Sequence, residues 1–265
     1  SVLEPGDYNE VLKKMLSRLN ICSKEFVVRQ YDHEVQGGSA VKPLTGALND
    51  GPSDAAVVKP LLDLSEGIAV ANGIIPRYSD IDGYCMSACA LDDAVRNNLC
   101  VGGSLETMAL LDNFCWPDPI KSEKNPDGEH KLAQLVRANK ALFDLSTFYG
   151  VPFISGKDSM KNDYKIGSIK ISVPPTILFT SVSKIPDVGK AVTMDAKKPR
   201  DLVYVLGLTK NELGASEYYA LNNAIGNNAP KVDEEKALKL YKALEKAVSL
   251  GLVNSCHDCS DGGLG

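Results

Sequence analysis

The chain has 265 residues, 44% of them hydrophobic and 24% charged, enough to bury a sizeable core in one large or two small domains. Its 29 basic and 34 acidic residues leave a net charge of −5, which excludes a global positive field for binding nucleic-acid phosphates. No apolar run approaches the roughly 20 residues needed to span a bilayer, and seven scattered cysteines give no disulfide framework.

The start, Ser1-Val2-Leu3-Glu4, carries no secretory signal, so the cytoplasm is the expected compartment. From about Tyr8 to Leu19, Val11, Leu12, Met15, Leu16 and Leu19 return at helical spacing, with Asp7 and Glu10 placed as a capping box. Lys24 to Tyr31 predicts a strand, after which Gly37, Gly38, Gly46, Gly51 and Pro52 break the chain into loops. Further strands are expected at Ala55 to Lys59 and Gly67 to Ala71, and a helix over Ser87 to Leu99. A second long helix, His130 to Tyr149, ends at Gly150 and feeds the apolar strand Val151 to Ile154. A β pair follows, Ile169 to Val173 and Thr176 to Val182, hinged at Pro174-Pro175.

The polar stretch Pro186 to Arg200 resembles an interdomain connection, which divides the chain near residue 195. Beyond it, Asp201 to Leu208 predicts a buried-type strand, Glu212 to Asn223 a helix and Asp233 to Leu250 an amphipathic helix. One strand and two helices cannot cover each other and a sheet, so the chain reads as part of a longer protein.

Four places carry residues suited to chemistry, each with a plain alternative. Asp54, in the loop Asn49-Asp50-Gly51-Pro52-Ser53-Asp54, could ligate a hard cation or simply shape a turn. Asp93 and Asn97 are four apart on the expected helix and share a face, offering either oxygen ligands or a solvated surface. Ser155-Gly156-Lys157-Asp158-Ser159-Met160 follows an apolar strand, where an anion loop and a structural turn are equally compatible; it is not a Walker A sequence. His257-Asp258-Cys259-Ser260-Asp261-Gly262-Gly263 gathers potential metal and phosphate ligands. A zinc site from Cys256-x2-Cys259 and Cys85-x3-Cys89 would need those pairs to converge across about 170 residues. His33 and Lys24 read by default as ordinary polar residues.

The combination is more specific than its members. Val28-Arg29-Gln30-Tyr31-Asp32-His33-Glu34-Val35-Gln36-Gly37, Gly51-Pro52-Ser53-Asp54-Ala55-Ala56, Pro152-Phe153-Ile154-Ser155-Gly156-Lys157-Asp158-Ser159-Met160 and His257-Asp258-x-Ser260-Asp261-Gly262-Gly263-Leu264 closely resemble the phosphoribosylformylglycinamidine synthase family. The resemblance runs over essentially the whole chain and falls on the C-terminal half of that family's synthetase region. It implies an α/β fold: an aminoimidazole-ribonucleotide-synthetase-like N-terminal domain over residues 1–195, and the start of the related C-terminal domain over 196–265.

The implied function is ligation. Formylglycinamide ribonucleotide, ATP and glutamine-derived ammonia become formylglycinamidine ribonucleotide, ADP and phosphate. An amide oxygen leaves poorly until it is phosphorylated, and Mg²⁺ neutralises the charge that builds on the phosphoryl oxygens. Carried over position by position, the family's magnesium ligands fall on Asp54, Asp93, Asn97 and Asp258. Asp93 stands where many relatives have Glu. Nucleotide contacts fall on Lys24 and Ser260, with Ser53 beside the first metal acid, and the Lys157 loop could serve either nucleotide position.

The essential catalytic histidine belongs to the N-terminal half, so this segment is expected to be inactive alone. Its expected partners are that half, a glutaminase domain or subunit and the ribonucleotide substrate, with no nucleic acid or membrane. Exposed faces would favour self-association of the isolated segment. Leu111-Asp112-Asn113-Phe114-Cys115-Trp116 departs from the Asn-Phe-Gly pattern of short family forms. Alternative readings are a non-catalytic module holding a trapped nucleotide, or another member of the same superfamily, such as a selenophosphate synthetase or a thiamine-phosphate kinase.

Overall fold

The computed structural model describes residues 2–260 and 263–264. Helix α1 spans Tyr8–Leu16 and α2 Glu25–Val28; strands β1 (Ser39–Val41), β2 (Ala56–Val58) and β3 (Gly67–Gly73) follow. Helix α3 (Gly83–Cys100), β4 (Ala109–Cys115), α4 (Gly128–Tyr149) and β5 (Phe153–Ser159) come next. The hairpin β6 (Asp163–Ile166) and β7 (Ile169–Ser172) leads to β8 (Thr176–Ile185), and α5 (Glu217–Leu221) and α6 (Glu234–Ser249) close the order.

Six strands form one mixed sheet in the order β1-β2-β3-β8-β4-β5. All neighbours are antiparallel except β4 and β5, which run parallel with α4 as their crossover. Along β8 buried residues alternate with half-exposed ones, the pattern of a strand with one face sealed. Helices α3 and α4 cover that face: Met86, Leu91, Val95 and Leu99 of α3 pack with Leu110, Trp116, Ala138, Ala141, Leu145, Ile177 and Phe179. The hydrophobic character of α3 is nearly all-round because it lies between the sheet, α4 and α6. Gly73 permits its close approach, since a Cβ there would lie 2.0 Å from the Ala90 carbonyl oxygen. Buried Asn98 pins the helix in register, donating to Ser181 Oγ at 3.2 Å and accepting from Ser183 Oγ at 2.6 Å.

Several expectations need correction. Lys24 to Tyr31 holds helix α2, not a strand: Ser23 Oγ accepts from the Glu25 amide and Glu25 pairs with Arg29 one turn on, while no strand among the described residues pairs with it. The capping box at α1 is incomplete, because Asp7 accepts from the Asn9 amide whereas Glu10 binds Lys13. Ser155 to Ser159 is neither loop nor turn but the body of edge strand β5, in register with Leu111 to Cys115. Ile169 to Val173 does not pair with Thr176 to Val182; β7 folds back on β6, and β8 enters the main sheet. Strand β4 had no alternating signal and was not anticipated. Asp201 to Leu208 is irregular, with Leu202, Val203 and Tyr204 at least 73% exposed, because no strand of the described residues lies beside it. Of the helix expected over Glu212 to Asn223, only the α5 turn and its Ser216 cap form.

Candidate functional site

Three segments distant in sequence converge at one end of α3. The loop before β2 supplies Asp54, α3 supplies Asp92, Asp93, Arg96 and Asn97, and the segment 255–260 supplies His257, Asp258 and Ser260. The last segment is placed by backbone. Ser255 forms a bridge with Thr193, the Cys256 amide donates to the Thr193 carbonyl oxygen at 3.3 Å, and Ser255 Oγ donates to the Asp195 carbonyl oxygen at 2.6 Å.

His257 Nδ1 lies 2.7 Å from Asp54 Oδ1 and 3.8 Å from Asp258 Oδ1. One ligand atom from each of Asp54, His257 and Asp258 falls within 4.8 Å of the others. Arg96 reaches Asp92 at 2.6 Å, Asp93 at 3.1 Å and Asp258 at 3.4 Å. Asp258 also accepts from the amide and hydroxyl of Ser260 at 3.0 and 2.6 Å. The carboxylates are sheltered, with the side chains of Asp258, Asp54 and Asp93 exposed by 0%, 6% and 10%.

Such crowding of buried acids needs positive charge. Burial pushes the Asp54 carboxyl up against the opposing pull of His257. The hydrogen bond to Asp54 pushes the His257 imidazole up as well. At Asp258 burial works against ionisation, but the Arg96 charge and the bonds from Asp93 and Ser260 outweigh it and hold the carboxyl below its usual range. Asp54, His257 and Asp258 bring their ligand atoms within reach of one cation, and their carboxylate oxygens are hard donors of the kind Mg²⁺ takes, so this set fits a divalent cation; Asp93 is joined to Asp258 through Arg96. Asn97 is held differently, donating Nδ2 to the Asn72 carbonyl oxygen at 2.9 Å, which leaves its own oxygen as the group it can offer.

The other expected site residues are placed apart from this cluster or bonded locally. Ser53 adjoins Asp54 but donates to the Ala55 carbonyl oxygen at 2.8 Å. Lys24 is exposed and donates to the Cys22 carbonyl oxygen at 2.6 Å. Lys157 stands on β5, four strand spacings from β2 in the sheet, about 19 Å at the usual separation. Asp261 and Gly262 of the terminal motif lie outside the described residues. The zinc pairing does not form: Cys89 donates to the Pro230 carbonyl oxygen, and Cys256 neighbours Cys100 instead.

Two members of the cluster escaped the sequence reading. His257 stands out in the sequence only as part of its motif, and Arg96 belongs to none of the motifs. Its signal was present, because Asp92 and Asp93 stand four and three residues before it on one helix. Nothing in the sequence showed that Asp92 would also accept hydroxyls from Tyr149 at 2.7 Å and Tyr241 at 2.6 Å.

Residues 198–265 match the family described as AIR synthase related protein, C-terminal domain. The chain is 36% identical over 263 residues to phosphoribosylformylglycinamidine synthase subunit PurL of Methanocaldococcus jannaschii, covering 98% of this chain and 34% of that protein. It is 33% identical over 265 residues to the same subunit of Thermoplasma volcanium, covering 98% and 32%. It thus spans about a third of the length of these curated relatives. The crystal structure of phosphoribosylformylglycinamidine synthase II from Thermotoga maritima superposes with a TM-score of 0.55 at 21% identity, over 85% of this chain and 30% of that one. Thermotoga maritima PurL complexed with ATP gives 0.54 at 20% identity over 95% and 33%. These two superpositions agree in fold, and the sequence match over almost every residue, at 36% and 33% identity, is what relates this chain to the phosphoribosylformylglycinamidine synthase family, as a segment corresponding to part of PurL.

Proposed function

We propose that this chain is a Mg-nucleotide-holding segment of a ligase of purine biosynthesis. The whole enzyme would convert formylglycinamide ribonucleotide, ATP and glutamine-derived ammonia to formylglycinamidine ribonucleotide, ADP and phosphate. The observation that carries this reading is the convergence of Asp54, His257 and Asp258 from two segments distant in sequence on one sheltered cluster, to which Arg96 joins Asp93 of α3. Structures of Thermotoga maritima PurL complexed with ATP, ADP and formylglycinamide ribonucleotide lend support.

Asp54, Asp93 and Asp258, with the Asn97 oxygen, would hold the cation. When bound, Mg²⁺ supplies neutralising charge for nucleotide phosphates. The protein's own part is positioning. Arg96 bridges Asp93 to Asp258, and Ser260 fixes the Asp258 rotamer. Lys24, Ser53 and Ser260 would meet the nucleotide, while Lys157 belongs to a different surface. The N-terminal half of the synthetase and a glutaminase are the partners this role requires. A domain division near residue 195 is part of the same reading.

The test is thermal unfolding of the chain with MgADP. At a hundredfold excess over the dissociation constant the nucleotide should stabilise by about 2.7 kcal/mol. Asp54→Ala should abolish that shift; a variant stabilised as much as the parent would overturn the assignment.

A further inference from the structure

Cys100 closes α3, and its sulfur lies 3.5 Å from that of Cys256, 156 residues away. Backbone contacts hold both cysteines in place independently of the sulfurs. The Val192 amide donates to the Val101 carbonyl oxygen at 3.2 Å, and the Cys256 amide donates to the Thr193 carbonyl oxygen at 3.3 Å. The segment 192–193 thus clasps the residue after one cysteine and the other cysteine itself. Cys100 is 4% exposed, whereas Cys256 is half-buried and within reach of small solutes. A disulfide needs the sulfurs at about 2.05 Å, which leaves about 1.5 Å for side-chain rotation to close.

We propose that Cys100 and Cys256 form a disulfide under peroxide, locking the segment that carries His257 and Asp258 onto the end of α3. The more accessible Cys256 sulfur attacks a peroxide oxygen, breaking the O–O bond; its thiol proton leaves in the first water, and Cys256 becomes a sulfenic acid. The Cys100 sulfur then attacks the Cys256 sulfur, the S–O bond breaks, and the Cys100 proton leaves in the second water. Two thiols are oxidised by two electrons and one hydrogen peroxide is reduced to two waters.

The consequence is mechanical. Asp93 and Asn97 sit on the helix at one end of the new bond, and Asp258 lies two residues from the other end. Oxidation would fix the spacing of the two parts of the cluster, and reduction by a dithiol would free it. Neither step requires a metal or a nucleotide, so this inference stands apart from the nucleotide reading.

The chain is treated with hydrogen peroxide, quenched, and denatured without reductant. Titratable thiols should fall from seven to five, and a tryptic digest should yield residues 97–121 cross-linked to 247–265, with fragment ions placing the bond between Cys100 and Cys256 and the species lost on adding dithiothreitol. In Cys100→Ser, Cys256 should instead accumulate as a dimedone-trapped sulfenic acid; in Cys256→Ser, Cys100 should remain a thiol. Amide exchange across 255–260 should slow in the oxidised parent and recover on reduction. A cross-link through Cys259, or sulfinic acid at Cys256 without any cross-link, would overturn the pairing. The correct cross-link with unchanged exchange would overturn the locking.

Discussion

Tyr241 of α6 donates its hydroxyl to Asp92 of α3 at 2.6 Å, and this one bond ties the last helix to the one that carries the carboxylate cluster. Tyr149 of α4 meets the same Asp92 oxygen at 2.7 Å, its ring 5.9 Å from that of Tyr241 and set edge-on. Arg96 takes the other oxygen. Three helices therefore share one buried carboxylate, and the guanidinium that satisfies it also reaches Asp93 and Asp258.

Tyr241→Phe should remove one donor and leave Asp92 with two. The expected cost is about 1–2 kcal/mol, read as a lower midpoint in urea with an unchanged slope. A larger loss, or a changed slope, would mean that α6 detaches altogether.

Arg96→Gln should be far more damaging, because it leaves Asp92, Asp93 and Asp258 without their shared cation. Breaking such a buried arrangement costs about 3–5 kcal/mol. The sign with pH is distinctive. Without the arginine, the burial that opposes ionisation of Asp258 loses its main counterweight, so the penalty is greatest at neutral pH and shrinks as pH falls toward the carboxylate range. Denaturation of parent and variant at pH 7 and pH 5 should show the gap narrowing; a constant gap would contradict the shared-cation role.

Asp82 caps α3, accepting from the Tyr84 amide at 3.1 Å and from Arg137 of α4 through both oxygens, at 2.8 and 2.7 Å. Burial opposes ionisation, but the Arg137 and Tyr84 bonds prevail and hold the carboxyl below its usual range. A lowered folded pKa contributes stability that is complete above the ordinary aspartate value near 3.9 and fades as pH drops through the lowered one. Asp82→Ala should therefore cost about 1 kcal/mol at neutral pH, and parent and variant should converge in acid. Divergence toward low pH would reverse the argument.

Gly73→Ala tests the contact of β3 with α3. Its Cβ would meet the Ala90 carbonyl oxygen at 2.0 Å and the Ala94 amide at 2.6 Å, both main-chain atoms that cannot rotate away. A destabilisation of about 1–3 kcal/mol is expected from calorimetry or urea titration. A neutral result would show that the helix can ride outward without loss.

Which parts of this fold are legible in sequence follows from how local their causes are. The two long helices α3 and α4 announce themselves through apolar spacing and the Gly150 stop, and β3 and β8 through their apolar runs. Strand β4 reads poorly because Asp112 and Asn113 interrupt it; its pairing with β8 and β5 is decided by tertiary contact. The segment 25–28 misleads in the other direction, since Phe26 and Val27 favour strands yet remain exposed on a short helix. Of the cluster, the acids were legible through resemblance alone. His257 beside Asp54 and Arg96 among three aspartates are facts of distance that no spacing in sequence encodes.

That distance also sets a timetable. Asp54 and His257 are separated by 203 residues, so at roughly 5–20 residues per second a ribosome would need about ten to forty seconds to deliver the second after the first. Through that interval Asp54 lacks the His257 imidazole that lies 2.7 Å from it in the folded chain. The sheet and its two covering helices can assemble first, and the cluster is finished only when the segment 255–260 arrives against Thr193.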